Sequence, residues 1–168
     1  MTVLLAETNS ERVRVQKWTL GPLIHAYFTT QQQQITQIKI TSSETFRCTV
    51  EGDGLEEVIL EWMDLYAKRQ KGPALPLELN SLTPFTRKGL KAVSSIKMGD
   101  VASYGEIASL AGCPNGARAI GNVCNKNPFP LVIPCHRVIQ GDGSIGGFAY
   151  HLKIKKALLT HESSHRQL

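Results

Sequence analysis

The sequence predicts an α/β chain in two parts. A small N-terminal α/β domain with an antiparallel sheet spans 1–76, and a mostly helical domain with a winged-type helix-turn-helix spans 77–168. Three observations carry this. Bursts of alternating apolar and polar residues fill 12–50, the period of half-buried strands. A stretch holding Pro73 and Pro76 reads as a linker. Beyond it come capped helical segments separated by glycine-containing turns.

Taken in order, Arg12 to Leu20, Leu23 to Phe28, Ile35 to Ile40 and Phe46 to Val50 are the strand segments, with Gly21-Pro22 as a turn and Gln31 to Gln34 as a loop. Leu55, Val58, Ile59, Trp62, Leu65 and Tyr66 recur at helical spacing, and Lys68-Arg69-Gln70-Lys71-Gly72 supplies a basic end and a glycine stop. Thr83-Pro84 is an N-cap with proline in the first turn, opening a helix from about Phe85 to Ile96. Ser103-Tyr104-Gly105-Glu106 is a capping box starting a short helix through Leu110. After the Ala111 to Gly116 turn, a second short helix runs from Ala117 to Asn125. Asn127-Pro128-Phe129-Pro130 is a stiff turn leading to a strand that runs into Pro134-Cys135-His136-Arg137-Val138. Gly141-Asp142-Gly143-Ser144 is a hairpin-type turn. A basic helix with Lys153, Lys155 and Lys156 closes on Leu158-Leu159-Thr160-His161-Glu162.

Composition bounds the function. Hydrophobic residues make up 42% of 168, enough to bury a core. No apolar run approaches the ~20 residues of a membrane span, and no basic-then-apolar leader is present, so the expectation is a soluble, intracellular protein, cytoplasmic or (in a eukaryote) nuclear. Residues 1–80 carry 8 Lys+Arg against 10 Asp+Glu, a balance of −2, whereas 81–168 carry 11 against 4, a balance of +7. That places a polyanion-facing surface on the second part only, unless the basic face is merely solvated. Cys48, Cys113, Cys124 and Cys135 show no zinc spacing, so the expectation is free thiols, no metal and no cofactor.

Cys135 beside His136 is the strongest chemical signal. A thiol becomes a nucleophile when a base takes its proton, and imidazole is the usual base. By itself the pair reads more simply as the buried end of an apolar run. The second signal is the helix after Gly116. Gly116, Ala117, Ala119, Gly121 and Asn122 leave its face nearly bare, with Arg118 at the start. Small residues let a backbone approach a shallow or narrow groove, which suits DNA contact better than base-edge readout. Tight internal helix packing is the other reading.

In order along the chain, Thr83-Pro84-Phe85, Tyr104, Arg118-Ala119-Ile120-Gly121, Asn127-Pro128-x-Pro130, Ile133-Pro134-Cys135-His136-Arg137-Val138, Gly146-Gly147-Phe148 and Lys156-x-Leu158-Leu159 with Glu162 resemble the O6-alkylguanine-DNA alkyltransferases, the methylated-DNA–protein-cysteine methyltransferases. The resemblance covers residues 80–162. The first eighty residues match in layout only, where the family carries an RNase-H-like α/β domain. Some members hold zinc there. Cys48 is the sole cysteine in that part, so no metal is expected.

The resemblance implies direct-reversal DNA repair: irreversible transfer of the alkyl group of O6-alkylguanine to Cys135, once per molecule, with O4-alkylthymine left open as a second substrate. His136 would be the base, acting through a water, and Glu162 would orient it. Asn127 would pin the active-site turn. Tyr104 would protonate the leaving guanine and crowd the phosphate as the nucleotide turns out of the duplex. Arg118 would fill the vacated stack from the minor groove. Gly116, Ala117, Ala119, Gly121, Asn122 and Ser103 would lie against double-stranded DNA. Main-chain groups of Cys135, Val138 and Ala149 would read the guanine edge, and Pro130, Val138, Phe148, Ala149 and Tyr150 would line the pocket. The implied protein is a monomer without a membrane partner. Three positions depart from the family: Phe148 stands for tyrosine, His151 for glycine, and Tyr150 is bulky where some members have glycine. A non-catalytic alkyltransferase-like binding protein, a sequence-reading regulator and a Cys-His-Glu hydrolase are the alternatives.

Overall fold

The alternating segments near the N-terminus form one five-stranded sheet in the computed structural model, which describes residues 3–8 and 11–163. Its strands are β1 (Val3–Thr8), β2 (Glu11–Trp18), β3 (Ile24–Gln31), β4 (Gln34–Ser42) and β5 (Phe46–Glu51), in spatial order β1-β2-β5-β3-β4. Successive strand residues point to opposite faces. Ile24, Ala26, Phe28, Ile38, Ile40, Phe46, Cys48 and Val50 are therefore buried together on one side. Helix α1 (Glu56–Ala67) covers that side with Ile59, Leu60, Met63 and Tyr66. The Tyr66 and Phe46 rings lie 6.1 Å apart, and Trp18 Nε1 donates to Asp64 Oδ1 at 3.2 Å.

Four local expectations change. The sheet is mixed, because β5 pairs antiparallel with β2 but parallel with β3. The chain reverses at β4 and again at β5, then crosses β3, so β5 must share the direction of β3. Strand β1 adds an edge that alternation over 12–50 did not include. Gln31–Gln34 is not a loop: Gln31 closes β3, Gln34 opens β4, and Gln32 (φ 49) and Gln33 (φ 61) make a two-residue turn. Both turn residues are left-handed, as tight hairpins require. Finally, α1 stops on Arg69 (φ 57), with Gln70 N–H donating to Leu65 O at 2.8 Å and Arg69 N–H to Tyr66 O at 2.9 Å. Gly72 serves a different purpose, since a Cβ there would sit 2.3 Å from Trp62 Cδ1.

The chain divides into two compact units, Met1–Glu78 and Leu79–Leu168. In the second, α2 (Pro84–Ser94) begins at Thr83, whose side chain accepts from Thr86 N–H at 3.2 Å. A two-residue strand β6 (Ala102–Ser103) runs into α3 (Tyr104–Leu110). Both halves of the capping box are present: Glu106 N–H donates to Ser103 Oγ at 3.2 Å, and Ser103 N–H to Glu106 Oε2 at 2.7 Å. Helix α4 (Ala117–Asn125) packs on α2 and α3, burying Ile120, Val123 and Cys124. At Gly89 a Cβ would come within 3.0 Å of Val123, so glycine lets α2 and α4 approach closely.

The strand expected before Cys135 is absent. Pro128, Pro130 and Pro134 have no N–H to give a ladder, and Leu131 is left-handed at φ 75. Cys135–Arg137 instead form one 3-10 turn, followed by β7 (Val138–Ile139) and, after the Gly143 turn, by α5 (Leu152–Glu162). Strands β6 and β7 pair in parallel, Ala102 with Val138 and Ser103 with Ile139. Among the described residues no helix is long and apolar enough to cross a membrane.

Candidate active site

Asn127 organises the loop that carries Cys135. Its Oδ1 accepts from Phe129 N–H at 2.9 Å, closing a side-chain turn, and its Nδ2 donates to Ile133 O at 2.9 Å. The same Nδ2 stands 3.3 Å from Cys135 Sγ. The thiol is 2% exposed. Burial pushes it above its ordinary value, and the Asn127 amide, the Lys155 charge and the backbone N–H groups of Cys135 and His136 pull the other way. Donors and a nearby positive charge are what favour a thiolate, and of these Asn127 Nδ2 contacts the sulfur directly. At rest the buried group is a thiol, so its proton must be removed.

His136 follows Cys135 in the same turn and is fully buried. Its Nε2 contacts Glu162 Oε1 at 2.7 Å. An ionised carboxylate only accepts, so Nε2 carries a proton, and in the neutral ring Nδ1 is then the basic lone pair. Nδ1 is buried without a hydrogen-bond partner among the described residues. At Glu162 burial works to raise the carboxyl, but the His136 and Arg137 contacts outweigh it and hold the group well below the usual carboxylate range.

Arg137 is a member of this cluster that motif reading passed over. Its Nε donates to Glu162 Oε2 at 2.7 Å, its Nη2 to Oε1 at 3.0 Å and its Nη1 to Ile96 O at 2.6 Å. The fork fixes the carboxylate that fixes the imidazole.

Lys155 is the second omission. It belongs to the basic pattern of α5, yet it is fully buried, donating to Val138 O at 2.6 Å and Gly147 O at 3.0 Å. It thereby joins β7, next to the nucleophile turn, to the Gly146-Gly147-Phe148 loop, and its ammonium lies 5.9 Å from the Phe148 ring centroid. Burial lowers it to about 8, against the pull of Cys135 and Cys124, which favour its charged form. One sequence signal was available. Lys155 sits between Ile154 and Leu158 in the helical period of the buried stripe.

The other predicted residues fall around this core. Tyr104, first residue of α3, follows directly on Ser103, which pairs with Ile139 of β7. Tyr104 is half-buried, and burial, then the nearby Cys124 and Cys135 sulfurs, raise its phenol, which keeps it a proton donor. A Cβ on Gly121 would just touch the Tyr104 ring at 4.0 Å, so the α4 surface reaches up to that ring. Ala117, Arg118 and Asn122 are exposed and Ala119 and Gly121 half-exposed. Gly116 is required by its turn, because a Cβ would lie 2.8 Å from Cys113 Sγ. The Ser103 hydroxyl is engaged in the α3 cap. Pro130 and Val138 are buried, Ala149 is exposed, and the half-buried Phe148 and Tyr150 rings meet at 5.5 Å. Burial and Cys135 together raise the Tyr150 phenol. His151 caps α5 without a side-chain bond. Among the described residues no cluster of three or more His, Cys, Asp or Glu could hold a metal ion. Cys48, Cys113 and Cys124 are free thiols; burial pushes Cys124 up to about 12.

Residues 84–164 match the family model for the DNA binding domain of 6-O-methylguanine DNA methyltransferase. The chain is 38% identical over 108 residues to the human methylated-DNA–protein-cysteine methyltransferase, an alignment covering 60% of this chain and 52% of that protein. With the Methanothermobacter thermautotrophicus protein of the same name it shares 44% over 86 residues, 51% of this chain and 48% of that one. The chain thus spans about half the length of these curated relatives. Among solved structures, Mycobacterium tuberculosis OGT in complex with DNA superposes with a TM-score of 0.69 at 27% identity, covering 83% of this chain and 93% of that one. The Pyrococcus kodakaraensis O6-methylguanine-DNA methyltransferase, at 22% identity and a TM-score of 0.55, covers 95% and 97% and speaks for the fold alone.

Proposed function

We infer from the match of residues 84–164 that the chain is a member of the 6-O-methylguanine DNA methyltransferase family, and from that premise we propose that it repairs DNA by direct reversal, taking the alkyl group of O6-alkylguanine onto Cys135. The observation that carries the reading is the buried linkage from His136, the chain neighbour of the buried Cys135, to Glu162 and on to Arg137. His136 Nδ1, relaying through a water, takes the thiol proton. The thiolate attacks the alkyl carbon in line, a C–S bond forms and the C–O6 bond breaks. Tyr104 gives its proton to the departing guanine. Water does not displace a thioether, so each molecule reacts once. O4-alkylthymine is a second substrate the same displacement would accept.

The DNA partner is double-stranded, approached from the minor groove by the bare face of α4: Gly116, Ala117, Ala119, Gly121 and Asn122, with Ser103 at the adjoining helix start. A base inside a duplex cannot reach a buried sulfur, so the nucleotide must turn out. Arg118, exposed in the first turn of α4, fills the gap it leaves. Pro130, Val138, Phe148, Ala149 and Tyr150 form the receiving pocket. The first unit is read as RNase-H-like and the α2–α4 cluster with its following loop as a winged helix-turn-helix, the whole working as a monomer.

Stoichiometry tests the reading. A duplex with one O6-methylguanine per strand pair is incubated with limiting protein, and remaining damaged base is counted. One base repaired per chain, with no further loss, is expected. Continued turnover, or no loss with protein in excess, contradicts it.

A further inference from the structure

The outward face of the first unit's sheet carries cations that the acceptor site does not use. Register sets Lys17 of β2 opposite Arg47 of β5, and Arg47 opposite His25 of β3. In the next row Thr49, Tyr27 and Lys39 stand in line across β5, β3 and β4. Like charges directly opposite one another destabilise a sheet. Yet none of Lys17, Lys39 and Arg47 is in an ion pair among the described residues, and Arg47 Nε is buried without a hydrogen-bond partner.

An aromatic platform sits between these charges. The Tyr27 ring is 38% exposed and stacks on His25 with centroids 3.8 Å apart and planes 24° from parallel. His25 is in turn held by Thr49 Oγ1 at 2.7 Å from Nε2. Burial and then Arg47 lower His25 to about 4, so at neutral pH it is an uncharged backing for the tyrosine. Lys17, Gln37, Lys39 and Thr41 around it are exposed.

The negative balance of residues 1–80 conceals this face. Glu56, Glu57, Glu61 and Asp64 all lie on α1, which covers the opposite side of the sheet. On the outward face β5 adds Glu51 at its far end, and Glu44 lies in the β4–β5 connection. Three of the unit's cations, Lys17, Lys39 and Arg47, thus stand around one exposed ring, while Arg14 lies on the α1 side and Lys68, Arg69 and Lys71 follow the end of α1.

We propose that this sheet face is a contact surface for an unpaired stretch of nucleic acid, with phosphates on Lys17, Arg47 and Lys39 and a base stacked on Tyr27. Cations that track a backbone, interleaved with an aromatic on a flat sheet, are the elements by which proteins hold single strands without reading sequence. An acidic peptide would satisfy the charges but leave the ring unused. The surface is independent of the acceptor site and extends the nucleic-acid footprint to a second unit.

The test uses the full chain and a labelled single-stranded oligothymidylate, with affinity measured over a range of salt concentrations. Tyr27→Ala should weaken binding about tenfold, the loss of one base–aromatic stack. Lys17→Gln with Lys39→Gln should flatten the log–log salt dependence by about 1.4, or roughly 0.7 per phosphate contact. Both variants change exposed side chains, and unaltered melting confirms their folding. Alkyl transfer from free O6-methylguanine base should stay at the wild-type rate, which separates this surface from the acceptor reading. Unchanged affinity and slope in both variants overturns the proposal. So does polyglutamate competing equally well against wild type and Tyr27→Ala, since that outcome marks a general anion surface.

Discussion

The Asn127 side-chain amide lies 3.3 Å from Cys135 Sγ while donating to Ile133 O and accepting from Phe129 N–H. One side chain therefore sets both the shape of the proline-stiffened loop and the polarity around its sulfur. Asn127→Ala strands a buried carbonyl and a buried N–H. It should cost about 1–3 kcal/mol per unsatisfied group, read by urea unfolding, and should slow transfer because the thiolate loses a donor.

Base catalysis by His136 follows from the buried thiol. Burial holds Cys135 above its ordinary value of 9.0, so little thiolate forms without help. His136→Gln should slow transfer by about 10²–10⁴-fold. The residual rate should climb with pH through the alkaline range, as hydroxide replaces the imidazole. A single-turnover pH–rate profile reads both effects, and an unchanged rate at neutral pH would remove His136 from the mechanism.

Glu162 ties catalysis to stability. Its folded value lies well below the ordinary 4.5, held there by His136 and Arg137 against the effect of burial. A depressed carboxyl contributes stability that is complete above its unfolded value and is lost as pH falls towards the folded one. Glu162→Gln leaves Arg137 buried without its counter-charge and should cost about 3–5 kcal/mol at neutral pH. Denaturant melts of the two proteins should converge as pH drops below about 4.

Lys155 gives a slope of the same sign in the alkaline range, from a different cause: burial disfavours its charged form. Burial lowers it from 10.5 to about 8, so between those values the unfolded chain binds more protons than the folded one. Stability from this group therefore rises as pH increases through 8 to 10.5, and that rise should vanish in Lys155→Met. The same variant removes a cation that favours the Cys135 thiolate. Its pH–rate profile should move to higher pH.

What could be read from the sequence was local. The Thr83 cap and the Ser103–Glu106 box join residues three apart, and both form as their spacing dictates. The bounds of α4 follow from the glycine before it and the Asn127-Pro128 turn after it. Arg137 and Lys155 escaped because their partners are remote: Ile96 is 41 residues from Arg137, and Val138 is 17 from Lys155. Charge pattern alone puts such side chains in water. The mixed sheet escaped for a related reason. Alternation identifies strands and their faces, but strand order depends on which pairings bury the apolar side beneath α1. Leu131-Val132-Ile133 has strand composition, and three prolines around it override that preference.

Peptide mass analysis after incubation with O6-methylguanine duplex addresses the central claim most directly. The account predicts one added methyl group on the peptide holding Cys135, none on those holding Cys48, Cys113 or Cys124, and none anywhere in Cys135→Ser. A methyl group on another cysteine, or repaired DNA with Cys135 unmodified, would contradict it.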